Sequence, residues 1–319
     1  MMNTRRQALD ARAFGCMLLF CSLMGLQHVA MKSAAGDIEP IFQVSLRSGI
    51  AALLVGLLLM IKKERLTVEN GTWKAGVAAG VLFTLEYLVV GEGIKYTAAS
   101  HVVVFLYTAP AFAALGLHWK IPSERLRPLQ WLGFLLAFLG IIVAFMCGES
   151  NNEGATARNY LLGDSLALLG GVCWGSTTVV IRCSALARIP AAHTLLYQLF
   201  CGFVILLLVS LLLDKAQFNF TPVSVSSMVY QTIVLCFGCF LLWFWLLTRY
   251  VASKLGVLLF MTPIFGVASG VILLDEPLET NFLIGSLLVF SGIILVSGYG
   301  WLKQRFSGLK PQSDRPPAD

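Results

Sequence analysis

Apolar residues fall into ten long blocks along the chain, separated by short breaks that are rich in polar residues, glycine and proline. The blocks cover residues 14–31, 41–61, 73–90, 98–118, 128–147, 160–181, 191–213, 227–247, 252–274 and 280–300. Each block is close to the length that an α-helix needs to cross a hydrocarbon core roughly 30 Å thick. Backbone groups inside a membrane must satisfy one another, so helices are the expected structure. The pattern therefore predicts an all-α integral membrane protein with ten transmembrane helices.

Composition supports this class and excludes a soluble protein. The 319 residues are 57% hydrophobic and 13% charged, whereas charged residues make up about 25% of an ordinary soluble chain. The eight cysteines lie in or beside the apolar blocks, which favours packing over a disulfide framework. The first block is long and lacks a small-residue cleavage site, so we expect a retained membrane helix and no cleavable signal.

Lysine and arginine predict the orientation in the membrane. The N-terminus, the breaks after spans two, four, six and eight, and the C-terminal tail, together with Lys74 and Lys254 in the first turns of the spans that follow two of these breaks, hold 18 of the 23 basic residues, whereas the other breaks hold four. Cytoplasmic loops carry the excess of basic residues, so both termini are predicted to be cytoplasmic. The same bias accounts for the net charge of +6, and no nucleic-acid partner is expected.

The second half of the chain repeats the first. The aligned positions are Gly25, Lys32 and Pro40 with Gly175, Arg182 and Pro190 at an offset of 150, Ala99, Pro110 and Phe112 with Ala252, Pro263 and Phe265 at 153, and Glu124, Gly133 and Gly140 with Glu276, Gly285 and Gly292 at 152. Each half holds five predicted spans, and an odd number forces the second half to run inverted in the membrane. Inverted repeats around a central cavity are typical of secondary transporters.

The repeat divides the chain into an expected domain organisation. We predict a cytoplasmic N-terminus over residues 1–12, a first five-helix repeat over 13–147, an external linker over 148–159, a second repeat over 160–300 and a disordered cytoplasmic tail over 301–319. Pro110 and Pro263 occupy equivalent positions in spans four and nine. Paired helix breaks in two halves predict a binding site or gate between them, although a kink for packing alone is the alternative.

Several segments together resemble the EamA family of the drug/metabolite transporter superfamily. They are Gly25 to Lys32, Trp174-Gly175-Ser176-Thr177, Lys95-Tyr96-Thr97-Ala98-Ala99 running to Pro110, Arg249-Tyr250-Val251-Ala252-Ser253 running to Pro263, and Asp275-Glu276-Pro277-Leu278. The resemblance covers nearly the whole chain. It implies ten helices, a central cavity and ATP-independent export of amino acids, related metabolites or amphipathic drugs across a bacterial inner membrane. One departure is Met24-Gly25, where the second half keeps Trp174-Gly175.

Ionisable residues inside a membrane are costly and are functional candidates by default. Glu86 in span three and Arg47 in span two lie at similar predicted depth. Two interpretations are open: an ion pair that holds the two helices together, or an unpaired Glu86 that carries a proton in exchange for substrate. His28 and His101, predicted at a similar outer depth, are further proton-coupling candidates that would form a polar vestibule with Glu86, or are satisfied structural side chains.

Other polar and aromatic side chains complete the predicted substrate site. Its candidate residues are Gln27, His28, Glu86, Tyr87, Tyr107, Trp174, Gln198 and Trp243. Glutamines hydrogen-bond amides or zwitterions but also join helices, and the aromatic residues equally suit packing. Asp164, near the start of span six, is expected to cap that helix.

Motifs of enzymes and ATPases are absent from the sequence. It contains no GxxxxGK[ST], no HExxH and no GxSxG, so neither a P-loop nor these hydrolase sites are present. We expect no catalytic residues, metal or cofactor, and a monomer or homodimer in the lipid bilayer with a small-molecule substrate and protons as a coupling ion. The predicted function is a secondary exporter. The alternatives are a membrane enzyme that acts on a lipid or prenyl substrate and a non-transporting partner or sensor.

Overall fold

The computed structural model describes most of the chain as helices. The described residues are 11–61, 72–122, 128–145, 155–250, 261–278 and 280–306, with single positions 63, 126, 255, 258 and 259. Within these ranges every regular element is helical, and extended residues pair only at an isolated bridge between Ile38 and Phe218. The predicted all-helical class is confirmed. The first ten residues, the last part of the tail and the break at Asn151 lie outside the described residues.

The helices follow one another with short connections. In chain order they are α1 Ala11–Gly25, α2 Gln27–Ser33, α3 Pro40–Ile61, α4 Thr72–Gly93, α5 Ala99–Leu106, α6 Ala109–Lys120, α7 Pro128–Phe145, α8 Ala155–Cys183, α9 Ala191–Leu212, α10 Pro222–Val229, α11 Phe240–Arg249, α12 Met261–Leu274 and α13 Thr280–Phe306. A π-helix over Tyr230–Cys239 joins α10 to α11. A short 3₁₀ turn over Ala185–Arg188 follows α8.

Many of these helices have the length and composition of membrane spans. Seven described stretches are long and apolar enough to cross a membrane: Ala11–Ser33, Pro40–Ile61, Thr72–Gly93, Ala99–Lys120, Asn159–Cys183, Ala191–Leu212 and Pro222–Cys239. Three shorter described helices are also apolar, namely Pro128–Ala144, Met261–Leu274 and Thr280–Leu295. The chain is therefore a multi-span membrane protein.

Three helices extend beyond the predicted apolar blocks by more than one helical turn. The helix predicted from residue 227 begins at Pro222, because Thr221 and Ser224 form a reciprocal capping box that starts a polar first turn. Helix α8 begins at Ala155, before the predicted start of span six, and α13 continues to Phe306, past the predicted start of the tail. Hydropathy locates the apolar body of a helix, whereas capping and polar turns set its ends.

Two membrane-crossing segments are interrupted in the middle. Helices α1 and α2 are separated at Leu26, and α5 and α6 are separated at Tyr107 and Thr108. Pro110 lies in the first turn of α6, where its missing N–H costs no helical hydrogen bond. Pro263 has a similar place near the start of α12.

Glycines allow several helices to pack at short distances. A Cβ atom built on Gly25 of α1 would lie 2.7 Å from the backbone nitrogen of Gly266 in α12. In the same way, a Cβ on Gly175 of α8 would lie 2.8 Å from the backbone oxygen of Ala109 in α6. Because any side chain would meet backbone atoms there, glycine at both positions sets the distance between the paired helices.

Helices α7 and α13 pack closely along their length. Gly140 lies against Gly285, and Gly292 lies against Gly133, so the contact positions run in opposite directions along the two helices. The pair is therefore antiparallel. The alignment of the two halves exchanges these two contacts: Gly140 aligns with Gly292 and Gly285 aligns with Gly133, so the Gly140–Gly285 contact corresponds to the Gly292–Gly133 contact.

Candidate functional site

A cavity of about 330 Å³ lies among α2, α4, α8 and α9, next to the interruption between α5 and α6. Its lining residues come from five segments that are far apart in sequence. They are Met24, Gln27, His28, Phe83, Glu86, Tyr87, Leu106, Tyr107, Trp174, Thr177, Thr178, Ile181 and Gln198. Its volume is at the lower end of the range of small-molecule sites.

Helix α4 contributes one polar and two aromatic side chains to the wall. Phe83, Glu86 and Tyr87 are spaced by three and four residues, which places them on one face of the helix. The rings of Phe83 and Tyr87 meet edge to face with centroids 4.8 Å apart. Gln27 of α2 donates a hydrogen bond from Nε2 to the hydroxyl oxygen of Tyr87 at 3.4 Å. These contacts hold the Tyr87 ring at the edge of the cavity.

The interruption between α5 and α6 forms the facing wall. Tyr107 lies at that interruption and meets Trp174 of α8 edge to face, with ring centroids 5.3 Å apart. Thr108 closes the end of α5 by donating from Oγ1 to the carbonyl oxygen of Phe105 at 2.6 Å. The broken helix therefore turns an aromatic side chain into the cavity, where a continuous helix would present a different face.

Glu86 and Arg47 are neighbours but do not form the ion pair considered from the sequence. In the described part of the chain, no hydrogen bond or ion pair within 4 Å joins them. The guanidinium carbon of Arg47 instead lies 4.8 Å from the centroid of the Tyr87 ring, a cation–π geometry. Glu86 lines the cavity and is only 5% exposed, whereas Arg47 lies behind Tyr87. Glu86 and Arg47 were predicted to lie at a similar depth in the membrane, but their side chains have different neighbours: the cavity for Glu86 and the Tyr87 ring for Arg47.

His28 and His101, which the sequence grouped with Glu86, lie in different places. His28 lines the cavity, and its Nδ1 atom is buried without a described hydrogen-bond partner. His101 lies outside the cavity lining. It pairs with Asp164 through Nδ1 at 3.0 Å and stacks on the Phe282 ring at 3.9 Å. The predicted vestibule of Glu86 with both histidines therefore includes only His28.

Asp164 is not a helix cap, contrary to the expectation from sequence. It lies inside α8 and is buried, and it accepts a hydrogen bond from Thr97 Oγ1 at 2.5 Å in addition to its contact with His101. A buried carboxylate needs such partners because its hydration is lost. Asp164 thus joins α8 to the segment before α5 and to α5 itself.

Two further cavities adjoin the central one. A space of about 590 Å³ shares Ile181 and Gln198 with the central cavity and reaches Arg182 and the turn that follows α8. A second space, of about 220 Å³, shares Met24 with it. Trp243 lines both of these spaces and not the central cavity. The central cavity therefore continues towards the connection between α8 and α9.

A polar cluster around Glu276, which follows α12, lies outside the cavity lining, at the end of α2 and the start of α5. The Glu276 carboxylate accepts hydrogen bonds from the backbone N–H groups of Ala99 at 2.6 Å and Ser100 at 2.9 Å. Lys32, at the end of α2, donates from Nζ to Glu276 at 3.2 Å and to the carbonyl oxygen of Thr97 at 2.6 Å. A carboxylate at a helix N-terminus satisfies free donors and suits the helix dipole.

Electrostatics at Glu276 favour the ionised form. Burial by itself raises the pKa of the carboxyl group, but the two backbone donors and the positive charge of Lys32 outweigh burial and lower the pKa of Glu276 below its ordinary value. The Glu276 cluster is therefore ionised at neutral pH, and it joins α2, α5 and α12.

A second buried network ties α2, α3 and the π-helix together. Gln43 donates from Nε2 to the carbonyl oxygen of Ile38 at 2.8 Å, and its Oε1 accepts from Gln231 at 2.9 Å. Ser227 accepts from Gln231 at 3.0 Å and donates to the carbonyl oxygen of Ala30 at 2.6 Å. These contacts place the glutamine of α3 in a structural role.

Most of the candidate substrate residues meet around one cavity. Seven of the eight line it, and Trp243 lies in the adjoining spaces. Sequence reasoning missed Phe83, Thr177 and Thr178. Helical spacing could have found them, because Phe83 precedes Glu86 by one turn and the two threonines follow Trp174 by one turn.

Comparison with known proteins identifies related sequences. The sequence pattern of the EamA-like transporter family matches residues 12–146 and 161–298. A Bacillus subtilis protein described as the uncharacterized transporter YoaV is 25% identical over 275 residues, covering 86% of this chain and 92% of the relative. A probable amino-acid metabolite efflux pump of Escherichia coli is 24% identical, covering 90% of this chain and 95% of that pump.

A similar fold has been solved by crystallography. One crystal structure aligns with a TM-score of 0.63 at 18% sequence identity, covering 95% of this chain and all of that one. This similarity concerns the fold alone.

Proposed function

Because this chain belongs to the EamA-like transporter family, we propose that it is a secondary transporter that exports a small amphipathic metabolite across a bacterial inner membrane. The substrate classes are an amino acid, an amino-acid derivative or a drug-like compound. The observation that carries the proposal is the central cavity, in which Glu86, His28 and two glutamines stand among aromatic rings in the middle of the helices. Such a mixture of few polar and many apolar side chains suits an amphipathic ligand. Export proceeds without a cofactor.

Ten membrane helices, arranged as two inverted halves, provide the proposed machinery. The support is a set of contacts that occur in pairs, in which the repeat alignment converts one contact of a pair into the other. Gly25 packs on α12 next to Phe265, and Gly175 packs on α6 next to Phe112, while α7 and α13 pack antiparallel. A two-fold axis that exchanges antiparallel helices is perpendicular to them and so lies in the membrane plane. The shorter helices α7, α12 and α13 are assigned as spans on this basis.

Alternating access follows from this arrangement in our proposal. The basic residues favour cytoplasmic termini, so the connection after α8 faces the cytoplasm and Glu276 faces outside. The structure then corresponds to a state in which the central cavity continues towards the cytoplasm while the Glu276 cluster closes the external end. Substrate would enter from the cytoplasm and leave after the external end opens.

Protons are the proposed coupling ion, with Glu86 as the principal carrier. Glu86 lines the cavity and has no described ion-pair partner, and His28 lies on the same cavity. His101 is a weaker candidate because Asp164 already engages it. A carboxyl group that binds either a proton or a substrate at one site exchanges one for the other.

The alternative of a membrane enzyme has less support. An enzyme acting on a lipid or prenyl substrate needs acidic or histidine side chains available at one membrane face. The acidic residue best placed for such a role is Glu276, and its two carboxylate oxygens are occupied by backbone donors and Lys32. The relatives named above are also described as transporters or efflux pumps.

A toxicity screen in bacteria tests the proposed export. Cells that produce the protein are challenged with toxic amines, amino-acid analogues and amphipathic drugs, and their growth is compared with that of cells producing Glu86→Gln at the same membrane level. We expect the wild-type protein to raise tolerance of at least one compound, because export lowers its internal concentration. If cells that produce the wild-type protein tolerated no compound better than cells that lack the protein, the proposed export would be contradicted.

A further inference from the structure

The charge of the central cavity limits the chemistry of its ligand. Among the described residues that line it, Glu86 is the one acidic side chain, and neither lysine nor arginine is present. Glu86 is 5% exposed and makes no hydrogen bond or ion pair within the described part of the chain. A buried carboxylate without partners is costly, so a ligand that donates hydrogen bonds and carries positive charge would be favoured there.

Arg47 does not fill this role. Its guanidinium group lies over the Tyr87 ring and outside the cavity lining. From behind that ring, its positive charge offsets part of the cost of burying the Glu86 carboxylate. The hydrogen-bonding positions of the carboxylate remain free for a ligand.

Hydrogen-bond donors for an anionic ligand are few in the cavity. The hydroxyl groups of Thr177 and Thr178 donate to the backbone oxygens of Cys173 and Trp174. The amide of Gln27 donates to Tyr87. A ligand carboxylate would therefore lose its hydration without gaining a cationic partner, which is unfavourable. The remaining polar groups of the lining, which belong to His28, Gln198 and the hydroxyl groups of Tyr87 and Tyr107, do not supply a fixed positive charge.

Aromatic rings complete a site suited to organic cations. Tyr107 and Trp174 stand edge to face on one side, and Phe83 and Tyr87 stand edge to face beside Glu86. The faces of such rings attract ammonium groups as well as apolar bodies. The volume of about 330 Å³ limits the ligand to a small molecule.

We propose that the substrate is a small organic amine cation with an apolar or aromatic body and no anionic group, and that Glu86 determines this specificity. The proposal rests on the proposed function in that it names the substrate class of the same cavity. It assigns the ammonium group to Glu86 and the apolar body to Tyr107 and Trp174. Amino acids in their zwitterionic form are then poorer ligands than the corresponding amines.

Three probes with the same phenyl-ethyl body separate the charge classes. They are 2-phenylethylamine as cation, L-phenylalanine as zwitterion and 3-phenylpropanoate as anion, each titrated calorimetrically into the purified full-length protein in detergent. We expect the amine to bind at least about tenfold more tightly than phenylalanine, because the carboxylate of phenylalanine would lose its hydration without a cationic partner in the cavity lining and would be repelled by Glu86. Binding of 3-phenylpropanoate should be undetectable.

Two variants test whether Glu86 causes the preference for the amine over phenylalanine. Glu86→Gln should weaken amine binding by about tenfold or more and should reduce the preference over phenylalanine, because the repulsion between Glu86 and the ligand carboxylate is lost. Glu92→Gln is the matched control, because it makes the same change two turns along α4 and outside the cavity, and it should leave all three affinities unchanged. If Glu86→Gln does not fold, Gln198→Glu adds a carboxylate to the lining and should strengthen amine binding relative to phenylalanine.

The outcomes separate this inference from the proposed function. Equal or tighter binding of phenylalanine or 3-phenylpropanoate, no amine binding at millimolar concentration, or an unchanged preference in both cavity variants would overturn it. If the protein bound amines but moved no compound across a membrane, the ligand class would be supported and the proposed transport would be contradicted. If the protein transported anions but did not bind amines, the proposed transport would be supported and the amine specificity would be contradicted.

Discussion

Replacing Glu276 with alanine is expected to lower the free energy of unfolding by about 2–4 kcal/mol. The change leaves the backbone N–H groups of Ala99 and Ser100 without their described acceptor and removes the partner of Lys32. Each buried donor that loses its acceptor costs roughly 1–3 kcal/mol. Glu276→Gln retains one acceptor oxygen and should cost about half as much. Unfolding by sodium dodecyl sulfate in mixed micelles measures these differences.

Glu92→Ala provides the control for this prediction. Glu92 forms an ion pair with Lys95 at 2.8 Å, but both side chains are partly exposed to solvent. Exposed pairs contribute about 0–1 kcal/mol, so this variant should unfold close to the wild type. If Glu276→Ala and Glu92→Ala had equally small effects, the Glu276 cluster would not hold α2, α5 and α12 together.

The lowered pKa of Glu276 also predicts the direction of a pH effect. A carboxyl group whose pKa is lower in the folded state contributes fully above its unfolded value, which is about 4.3 for glutamate. The contribution is lost as the pH falls through the folded pKa. The stability difference between wild type and Glu276→Ala should therefore be constant near neutral pH and should shrink below about pH 4.

Replacing Glu86 with glutamine should reduce transport by about tenfold or more while leaving stability nearly intact. The structure gives Glu86 no ion-pair partner in the described chain, so the neutral amide removes the cost of a buried charge and breaks no direct contact with Arg47, which keeps its place over Tyr87. The remaining transport should no longer depend on pH, because the proton-binding carboxyl group is gone. Arg47→Gln should instead cost about 1–2 kcal/mol of stability through loss of its contact with Tyr87.

The double variant Glu86→Gln, Arg47→Gln distinguishes the two interpretations of these residues. Side chains that do not touch should show an interaction energy below about 1 kcal/mol. A loss of about 3 kcal/mol in Glu86→Gln, restored by neutralising Arg47, would show an ion pair in solution. Unfolding titrations and the pH dependence of uptake for the two single variants and the double variant provide the comparison.

Sequence periodicity was sufficient to predict the all-helical class of the fold and the helices on which the key residues lie. Hydropathy reports how far along a helix a residue lies, so Glu86 and Arg47 were correctly placed on neighbouring spans. It does not report how the helix is rotated about its axis when apolar residues surround it on all sides. The rotation of α3 directs Arg47 to Tyr87 and away from Glu86.

Helix interruptions were only partly predictable. Proline marks the interruption before Pro110, but the one at Leu26 and the π-helix over Tyr230–Cys239 have no proline. The environment of Asp164 was also beyond the sequence, because its partners Thr97 and His101 are more than sixty residues away. Such contacts depend on which helices become neighbours, and local sequence does not determine this.

Reconstitution in liposomes tests the central claim of transport most directly. Liposomes that contain the purified protein are loaded with an unlabelled compound and diluted into buffer that contains a trace amount of the same compound in labelled form. The compounds tested are a panel of amines, amino acids and amphipathic drugs. A transporter that operates by alternating access exchanges internal for external substrate, so the label should accumulate transiently for at least one compound, and Glu86→Gln should lose that accumulation. If no compound accumulated beyond the level in protein-free liposomes, the assignment as a transporter would be contradicted.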